Sequence, residues 1–146
     1  MKEISKDIYP MPLFVRLEVR DVKASLAWYQ QKLGALDLFT LDGPHGPVMS
    51  HLRFAKYADL MLVPETKPNS SKGQGLSIYI TVMKGELDAL AMQARDEVIE
   101  GPIIRPWNVR ELVVQDPDGF TLIFAEGPVD EKRTFEEVMT NTRKTV

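Results

Sequence analysis

Two stretches of alternating residues decide the fold: LFVRLEV at residues 13–19 and LSIYITV at residues 76–82. In both stretches the first, third, fifth and seventh residues are apolar, which is typical of a strand with one buried face. Because the second stretch repeats the pattern of the first, the sequence predicts an internal repeat. Each copy of that repeat opens with a half-buried strand.

An amphipathic helix is predicted after each of these strands. In the first copy, Asp21 is the expected N-cap and Gly34 the expected left-handed stop. The apolar positions between them recur at helical spacing: Val22, Leu26, Tyr29 and Leu33. The corresponding positions of the second copy are Leu87, Leu90, Ala91, Ala94 and Val98.

Further strand-like segments follow each helix. Those of the first copy are residues 36–41, 48–54 and 60–63, and those of the second are 103–104, 109–114 and 120–124. The polar, proline-bearing segment 65–75 has the composition of a linker. The sequence therefore predicts two βαβββ modules, at 11–64 and 76–127.

A βαβββ unit has a helix on one face of its sheet and nothing on the other, so two units must combine. We expect one α+β domain over residues 1–146. Its tandem modules would form a curved eight-stranded mixed sheet with outer helices and a concave ligand-binding surface. A C-terminal helix is expected over 130–143, with Thr134 and Glu137 as a capping box. Its apolar stripe would pack on the body or on a second subunit: Phe135, Val138, Met139 and Thr142.

The composition excludes several classes of function. With 44% hydrophobic residues, 27% charged residues and a net charge of -3, the chain has neither a disordered nor a nucleic-acid-binding composition. The lack of cysteine excludes disulfides, thiolate nucleophiles and cysteine-bound metals. No apolar run is long enough to cross a membrane, and the charged start is unlike a secretion signal, so we expect a cytoplasmic protein. The sequence has no nucleotide-binding glycine loop and no Ser-His-Asp order.

Three segments resemble a known superfamily by their order and spacing: VRDVKASLAWY (19–29), PWNVREL (106–112) and DPDGFTLIFAE (116–126). Over residues 13–126 the chain is similar to the vicinal oxygen chelate superfamily of glyoxalases, extradiol dioxygenases and bleomycin-resistance proteins. The last two segments are most similar to the bleomycin-resistance branch. The Asp-Pro-Asp-Gly turn itself is expected to be structural, because its residue types cap amides and permit a positive φ.

The resemblance implies where a metal would lie. The superfamily's metal enzymes place histidine or glutamate at facing positions of strands one, four, five and eight, which match Phe14, Leu62, Ser77 and Ile123 here. None of these is a usual metal ligand, because zinc, nickel and ferrous iron need imidazole or carboxylate donors. Because the chain resembles the superfamily but lacks its metal ligands, the resemblance predicts a groove that is lined by apolar side chains and holds no metal or other cofactor.

Other candidate ligand-binding residues come from the polar positions of the strands and from the loop that the family places at the groove rim. His51 is expected to be a hydrogen-bond donor, and Tyr79 to stack on an aromatic ligand. Arg110 and Glu111 alternate along a strand, so that one points to each face, and a cross-strand ion pair is their ordinary role. The complete further set is Arg16, Glu18, His51, Tyr79, Trp107, Arg110 and Glu111.

These features leave three candidate functions. The first is a metal-free protein that sequesters an aromatic or antibiotic-like small molecule, and the resemblance implies a homodimer. The second is a metal-dependent lyase or dioxygenase of the same superfamily with ligands at unusual positions, drawn from Glu18, His51, Asp59 and Glu111. The third is an accessory subunit that binds another protein through its C-terminal helix. Nucleic acid and membrane partners are not expected.

Overall fold

The structure is a computed structural model, and it describes residues 3–146. Over these residues the chain forms two four-stranded sheets and three α-helices. The elements are β1 (Val15–Val19), α1 (Val22–Leu33), β2 (Leu36–Gly43), β3 (Gly46–Ala55), β4 (Ala58–Pro64), β5 (Ser77–Val82), α2 (Glu86–Ala94), β6 (Val98–Ile104), β7 (Arg110–Gln115), β8 (Thr121–Glu126) and α3 (Phe135–Thr145). Within the described residues, no helix has the length and apolar character needed to span a membrane.

The α+β class, the tandem βαβββ modules and the C-terminal helix are confirmed. The strands expected in one eight-stranded sheet are hydrogen-bonded in two groups of four. The chain divides into two compact units. The first unit comprises the residues up to Gln74 together with Asp116–Phe120, and the second comprises Gly75–Gln115 and Thr121–Val146.

The first sheet has the strand order β1-β4-β3-β2, with β1 parallel to β4 and the other pairs antiparallel. Helix α1 packs on one face of it. As predicted, Asp21 caps α1 by accepting a hydrogen bond from the Ala24 amide, and Gly34 ends it at φ 67°. The core beneath the helix contains Leu17, Val19, Leu52, Leu60 and Leu62. The predicted strand one is shorter than expected, because β1 begins at Val15 and Leu13 is 81% exposed.

The Asp-Pro-Asp-Gly turn is tied to α1 by a buried carboxylate. Asp116 Oδ1 accepts hydrogen bonds from the amides of Asp118 (2.9 Å) and Phe120 (2.8 Å), and Gly119 has φ 101°. These contacts confirm the structural turn. Asp116 Oδ2 accepts a further bond from the buried hydroxyl of Tyr29 at 2.7 Å, which the sequence did not predict.

The other face of the first sheet is partly covered by residues 5–9, the N-terminal strap. Arg53 on β3 donates through Nη1 to the carbonyl oxygens of Ser5 (2.9 Å) and Asp7 (2.7 Å). The guanidinium carbon of Arg53 lies 4.3 Å from the centre of the Tyr9 ring, and the Tyr9 hydroxyl accepts a bond from the Tyr57 amide. The strap has no apolar periodicity, so the sequence pattern gave no indication of it.

The second sheet has the order β5-β8-β7-β6, with β5 parallel to β8. Its helix-covered face is largely apolar, and α2 packs on it through Leu87, whose amide donates a hydrogen bond to Glu126. The prediction that Val98 belongs to this helix is wrong. Helix α2 ends at Ala94, because Arg95 takes φ 47° and opens a short 3-10 turn, after which Val98 begins β6.

Helix α3 spans Phe135–Thr145 rather than the expected 130–143. As predicted, Thr134 caps it, and the Thr134 hydroxyl accepts a hydrogen bond from the Glu137 amide at 3.1 Å. Of the predicted apolar stripe, Val138 is buried and Met139 is half-buried, whereas Phe135 remains exposed. The helix therefore packs through the centre of its stripe.

The buried contact between α1 and the turn gives a stability prediction. Tyr29→Phe removes one donor and should lower the free energy of unfolding by about 1 to 2 kcal/mol. Asp116→Ala leaves three donors without an acceptor and should lower the free energy of unfolding by about 3 kcal/mol. Urea unfolding measures both changes. Asp42→Ala is the control, since Asp42 is exposed and its loss should change stability by less than about 0.5 kcal/mol. Equal losses for the two aspartate variants would contradict this assignment.

Candidate functional site

The face of the first sheet that α1 leaves open carries a row of cross-strand partners. Arg16 pairs with Met61, Met61 with His51, and His51 with Phe39, so the row crosses all four strands. Paired residues point to the same face of a sheet, so these four side chains are neighbours. Phe39 is 54% exposed, and its ring gives the row an apolar end.

Predicted ligand-binding residues lie beside this row. The Phe14 ring centre is 5.3 Å from that of His51. Glu18 accepts hydrogen bonds from the amide (2.7 Å) and hydroxyl (2.8 Å) of Thr66, and these bonds lower the pKa of Glu18. The first unit therefore brings together Phe14, Arg16 and His51, and fixes Glu18 against the segment that follows β4.

Leu62 does not belong to this open face. It pairs with Leu17 on the helix-covered face and is 0% exposed, so it is a core residue. The expected register of strand four was wrong by one residue, because the strand carries no motif that anchors it. Met61 occupies the open position and offers a thioether rather than a metal-binding imidazole or carboxylate.

The open face of the second sheet is organised around Glu111 on β7. A row of partners runs from Thr81 through Ala125 and Glu111 to Ile103. Tyr79 and Val113 both pair with Ile123 in the next row, which places the predicted residues Tyr79 and Ile123 on this face. Ser77 is exposed at the start of β5.

The Glu111 carboxylate is buried by its own hydrogen-bond donors. Oε2 accepts from the Tyr79 hydroxyl at 2.8 Å and from the Trp107 indole N–H at 2.9 Å, and Oε1 accepts from Arg105 Nε at 2.9 Å. Arg105 also pairs with Glu100. Glu111 is only 3% exposed, whereas Tyr79 is 52% exposed. We call Tyr79, Trp107, Arg105 and Glu111 the Glu111 cluster.

The charges of the Glu111 cluster are strongly coupled. Burial by itself would raise the pKa of Glu111, but the hydrogen bonds from Arg105, Tyr79 and Trp107 lower it below its usual value of 4.5. Partial burial and the bond to Glu111 raise the pKa of Tyr79 from 10.0 to about 12. The cluster therefore holds one carboxylate ionised and one phenol protonated at neutral pH.

A tight turn between β6 and β7 places Trp107 beside Glu111. Asn108 adopts φ 70°, and its backbone N–H donates a hydrogen bond to the carbonyl oxygen of Arg105, which closes the turn. The Asn108 side chain exchanges hydrogen bonds with the backbone of Asp130, both at 2.9 Å. The Arg105 guanidinium lies 5.9 Å from the centre of the Trp107 ring. The loop that carries the indole is thus fixed at both ends.

Arg110 lies apart from the Glu111 cluster. It points to the helix-covered face, where it pairs with Asp88 of α2 at 2.6 Å and with its cross-strand partner Glu126 at 3.7 Å. The expectation that Arg110 and Glu111 point to opposite faces is confirmed. Arg110 is an ion-pairing residue, and its placement gives it no share in the open face.

The residues present do not fit a metal site of the kind the superfamily's enzymes use. The matching positions carry phenyl, thioether or alkyl, and hydroxyl groups, which are poor ligands for zinc, nickel or iron. Within residues 3–146, no three histidine, aspartate or glutamate side chains converge as a metal-binding group. His51 and Asp59 do meet, but Arg53 binds both oxygens of Asp59.

A separate open pocket of about 700 Å³ lies in the first unit, between the start of α1 and the β2–β3 hairpin. Its cationic residues Arg20, Lys23 and His45 are accompanied by Asp21 and Asp42. It contains none of the predicted ligand-binding residues. The open sheet faces are therefore the places where the predicted residues meet.

A family model described as the glyoxalase/bleomycin resistance protein/dioxygenase superfamily matches residues 13–124. The chain belongs to this superfamily. A comparison with curated protein sequences gives no match. The resemblance inferred from the three sequence segments is thus confirmed for the superfamily.

Solved structures of low sequence identity share the superfamily fold. TioX from Micromonospora sp. ML1 is 18% identical, with a TM-score of 0.62, and the match covers 78% of this chain and 96% of TioX. A glyoxalase-related enzyme from Fulvimarina pelagi is 17% identical, with a TM-score of 0.64 and coverage of 80% and 87%. The fosfomycin resistance protein FosX from Listeria monocytogenes, complexed with Mn(II) and a dihydroxypropylphosphonic acid, is 12% identical, with a TM-score of 0.57 and coverage of 82% and 90%.

Two residues of the candidate site are not predicted from the sequence: Arg105 and Arg53. Each binds a buried carboxylate on its own sheet, Glu111 in one case and Asp59 in the other. A signal existed, because each arginine stands six residues before its partner, across a hairpin. Opposite charges that flank a predicted hairpin often pair across the strands.

The coupled carboxylate gives a pH prediction. Glu111→Gln keeps the shape but should lower the free energy of unfolding at neutral pH by about 1 to 3 kcal/mol, because three donors lose an ionised acceptor. A carboxyl with a lowered pKa stabilises the fold above its unfolded value of 4.5, and this stability is lost as the pH falls through the folded pKa. The difference in the free energy of unfolding between the unsubstituted protein and Glu111→Gln should therefore become smaller at acidic pH.

Urea unfolding at neutral and acidic pH measures this difference. Glu136→Gln, which changes an exposed glutamate of α3, is the matched control and should change the free energy of unfolding by much less than Glu111→Gln does. A Glu111→Gln loss that stays constant from neutral pH into acid would contradict the charge assignment.

Proposed function

We propose that this superfamily member is a metal-free binding protein of the bleomycin-resistance type, which sequesters an aromatic or amphipathic small molecule. The observation that carries the proposal is the Glu111 cluster, where one buried carboxylate fixes a tyrosine and a tryptophan on an open sheet face. Aromatic side chains held this way offer a stacking surface.

Fixing the two rings in advance favours binding. A side chain that is already ordered loses little entropy when a ligand packs against it, and each mobile side chain that must be ordered costs about 0.5 to 1.5 kcal/mol. Tyr79 and Trp107 are both anchored through their polar ends. Tyr79 remains 52% exposed and Trp107 is half-buried, so both keep surface that a ligand can contact.

Apolar residues surround the Glu111 cluster. Ile103 pairs with Glu111 and is 39% exposed, while Val113 and Ile123 are half-buried in the neighbouring row. A ligand that covers about 300 Å² of apolar surface gains roughly 7 kcal/mol before the costs of association. This surface supports useful affinity without any chemical step.

The hydrogen bonding of Glu111 supports binding rather than catalysis. Three donors already occupy its carboxylate, and its pKa is lowered, so it is a poor general base. A metal ion would have to displace Arg105, Tyr79 or Trp107 to reach it. The second candidate function, a metal-dependent lyase or dioxygenase, has the His51–Asp59 contact in its favour. Against this enzyme, Arg53 already binds the carboxylate of Asp59, and Thr66 already donates to the carboxylate of Glu18.

The proposal extends to assembly and location. A homodimer is the arrangement that the bleomycin-resistance resemblance implies, and we propose a cytoplasmic location. A protein that acts by sequestration needs only to be present at a concentration comparable to that of its ligand, so no further partner is required. Sedimentation over a range of protein concentrations separates a dimer from a monomer.

A ligand screen tests the proposed function. Thermal unfolding is followed in the presence of glycopeptides, aromatic antibiotics and thiol conjugates, after treatment with chelator. A compound at 100 times its dissociation constant should add about 2.7 kcal/mol to stability. We expect at least one aromatic compound to bind, to change Trp107 fluorescence, and to bind about tenfold more weakly to Glu111→Gln.

Arg110→Gln is the matched control for this screen, because Arg110 lies on the helix-covered face and should leave the affinity unchanged. Tightly held stoichiometric metal that is required for binding or turnover would contradict the proposal and favour the enzyme. A panel in which no compound binds, together with assembly on another protein, would favour an accessory subunit.

A further inference from the structure

A second polar group lies on an open sheet face beside apolar side chains: the imidazole of His51 in the first unit. It neighbours Phe14 at 5.3 Å between ring centres and pairs across the strands with Phe39 and Met61. These residues are distinct from the Glu111 cluster. A ligand site built on them uses none of the residues of the Glu111 cluster, so its test can fail or succeed separately from that of the proposed function.

The carboxylate of Asp59 determines which nitrogen of His51 carries the proton. Arg53 binds Asp59 in a two-pronged ion pair, with Nε to Oδ1 at 2.8 Å and Nη2 to Oδ2 at 3.0 Å. The Asp59 side chain is fully buried. A carboxylate held by an arginine accepts hydrogen bonds and donates none, so His51 Nε2, at 2.9 Å from Oδ2, is the donor.

With the proton on Nε2, the Nδ1 atom of the neutral imidazole has a free lone pair. Among residues 3–146, no hydrogen-bond donor reaches this atom, and it is not among the buried unpaired atoms. His51 is thus positioned as an acceptor, whereas the sequence analysis expected a donor. An acceptor on this face selects a ligand with an O–H or N–H group.

The residues around His51 further restrict the kind of ligand that this site can bind. The rings of Phe14 and Phe39 are 39% and 54% exposed, and Met61 lies between β1 and β3, so the ring of an aromatic compound would be covered by apolar groups. The nearby charges are largely occupied: Asp59 by Arg53, and Glu18 by Thr66. Arg16 stands at the end of the row.

We propose that His51 Nδ1, with the rings of Phe14 and Phe39, forms a binding site for phenolic compounds, in which the phenol hydroxyl donates to Nδ1. Asp59 is a positioning residue, because it acts only by fixing the imidazole. Arg53 holds Asp59 in place and also binds the N-terminal strap. On its buried side the imidazole is therefore held by a chain of hydrogen bonds through Asp59 and Arg53.

Nitrogen NMR of protein labelled with 15N-histidine tests the site directly, with phenol and anisole as probes. The chain has two histidines, and His45 in the β2–β3 hairpin is an internal reference. We expect His51 to carry one ring proton, on Nε2. Phenol should shift Nδ1 of His51 and leave His45 unchanged.

Anisole has nearly the same shape as phenol but no donor, so it should bind about two- to tenfold more weakly, the factor expected for one lost hydrogen bond. His51→Phe should reduce phenol affinity to that of anisole, and His45→Phe should leave it unchanged. The comparison of phenol with anisole needs no variant, so it holds even if His51→Phe fails to fold. A proton on Nδ1, or equal affinities for the two probes, would overturn the site.

Discussion

A carboxylate that is removed from water must be given hydrogen bonds or a counter-charge, and this requirement shapes the candidate site. Glu111 satisfies it with a guanidinium, a phenol and an indole. The same three bonds that stabilise the charge also fix the rings of Tyr79 and Trp107. The stability of this sheet and the proposed ligand recognition therefore depend on one side chain.

Two buried carboxylates of the first unit are likewise satisfied by hydrogen-bond donors. Asp116 ties the Asp-Pro-Asp-Gly turn to Tyr29 of α1, and Asp59 joins Arg53, the strap and His51. In both units the helix-covered face of the sheet is largely apolar, while the open face carries a buried acid with its donors. The internal repeat thus extends from the strand order to the way each open face is built, although the residues differ.

The sequence predicted much of the fold because local patterns determine it. Alternation gave the strands, Asp21 and Gly34 gave the ends of α1, and the two copies gave the modules. The errors arose where local signals were weak. Leu62 was assigned to the wrong face of a strand that has no anchoring motif, and Val98 was assigned to a helix that ends before it, at the break at Arg95. The candidate site was predicted in part, since Tyr79, Trp107 and Glu111 were named separately. Their convergence depends on strand register and on a turn, and single-sequence patterns do not specify these.

The most direct test of a binding surface built on Glu111 is a crystal structure of the protein with an aromatic compound that raises its melting temperature. We predict that the ring of the compound lies against Tyr79 and Trp107, while Glu111 keeps its bonds to Tyr79, Trp107 and Arg105. A compound bound elsewhere with these side chains untouched would contradict the proposed role of the cluster. So would a metal ion held by Glu111 in place of Arg105.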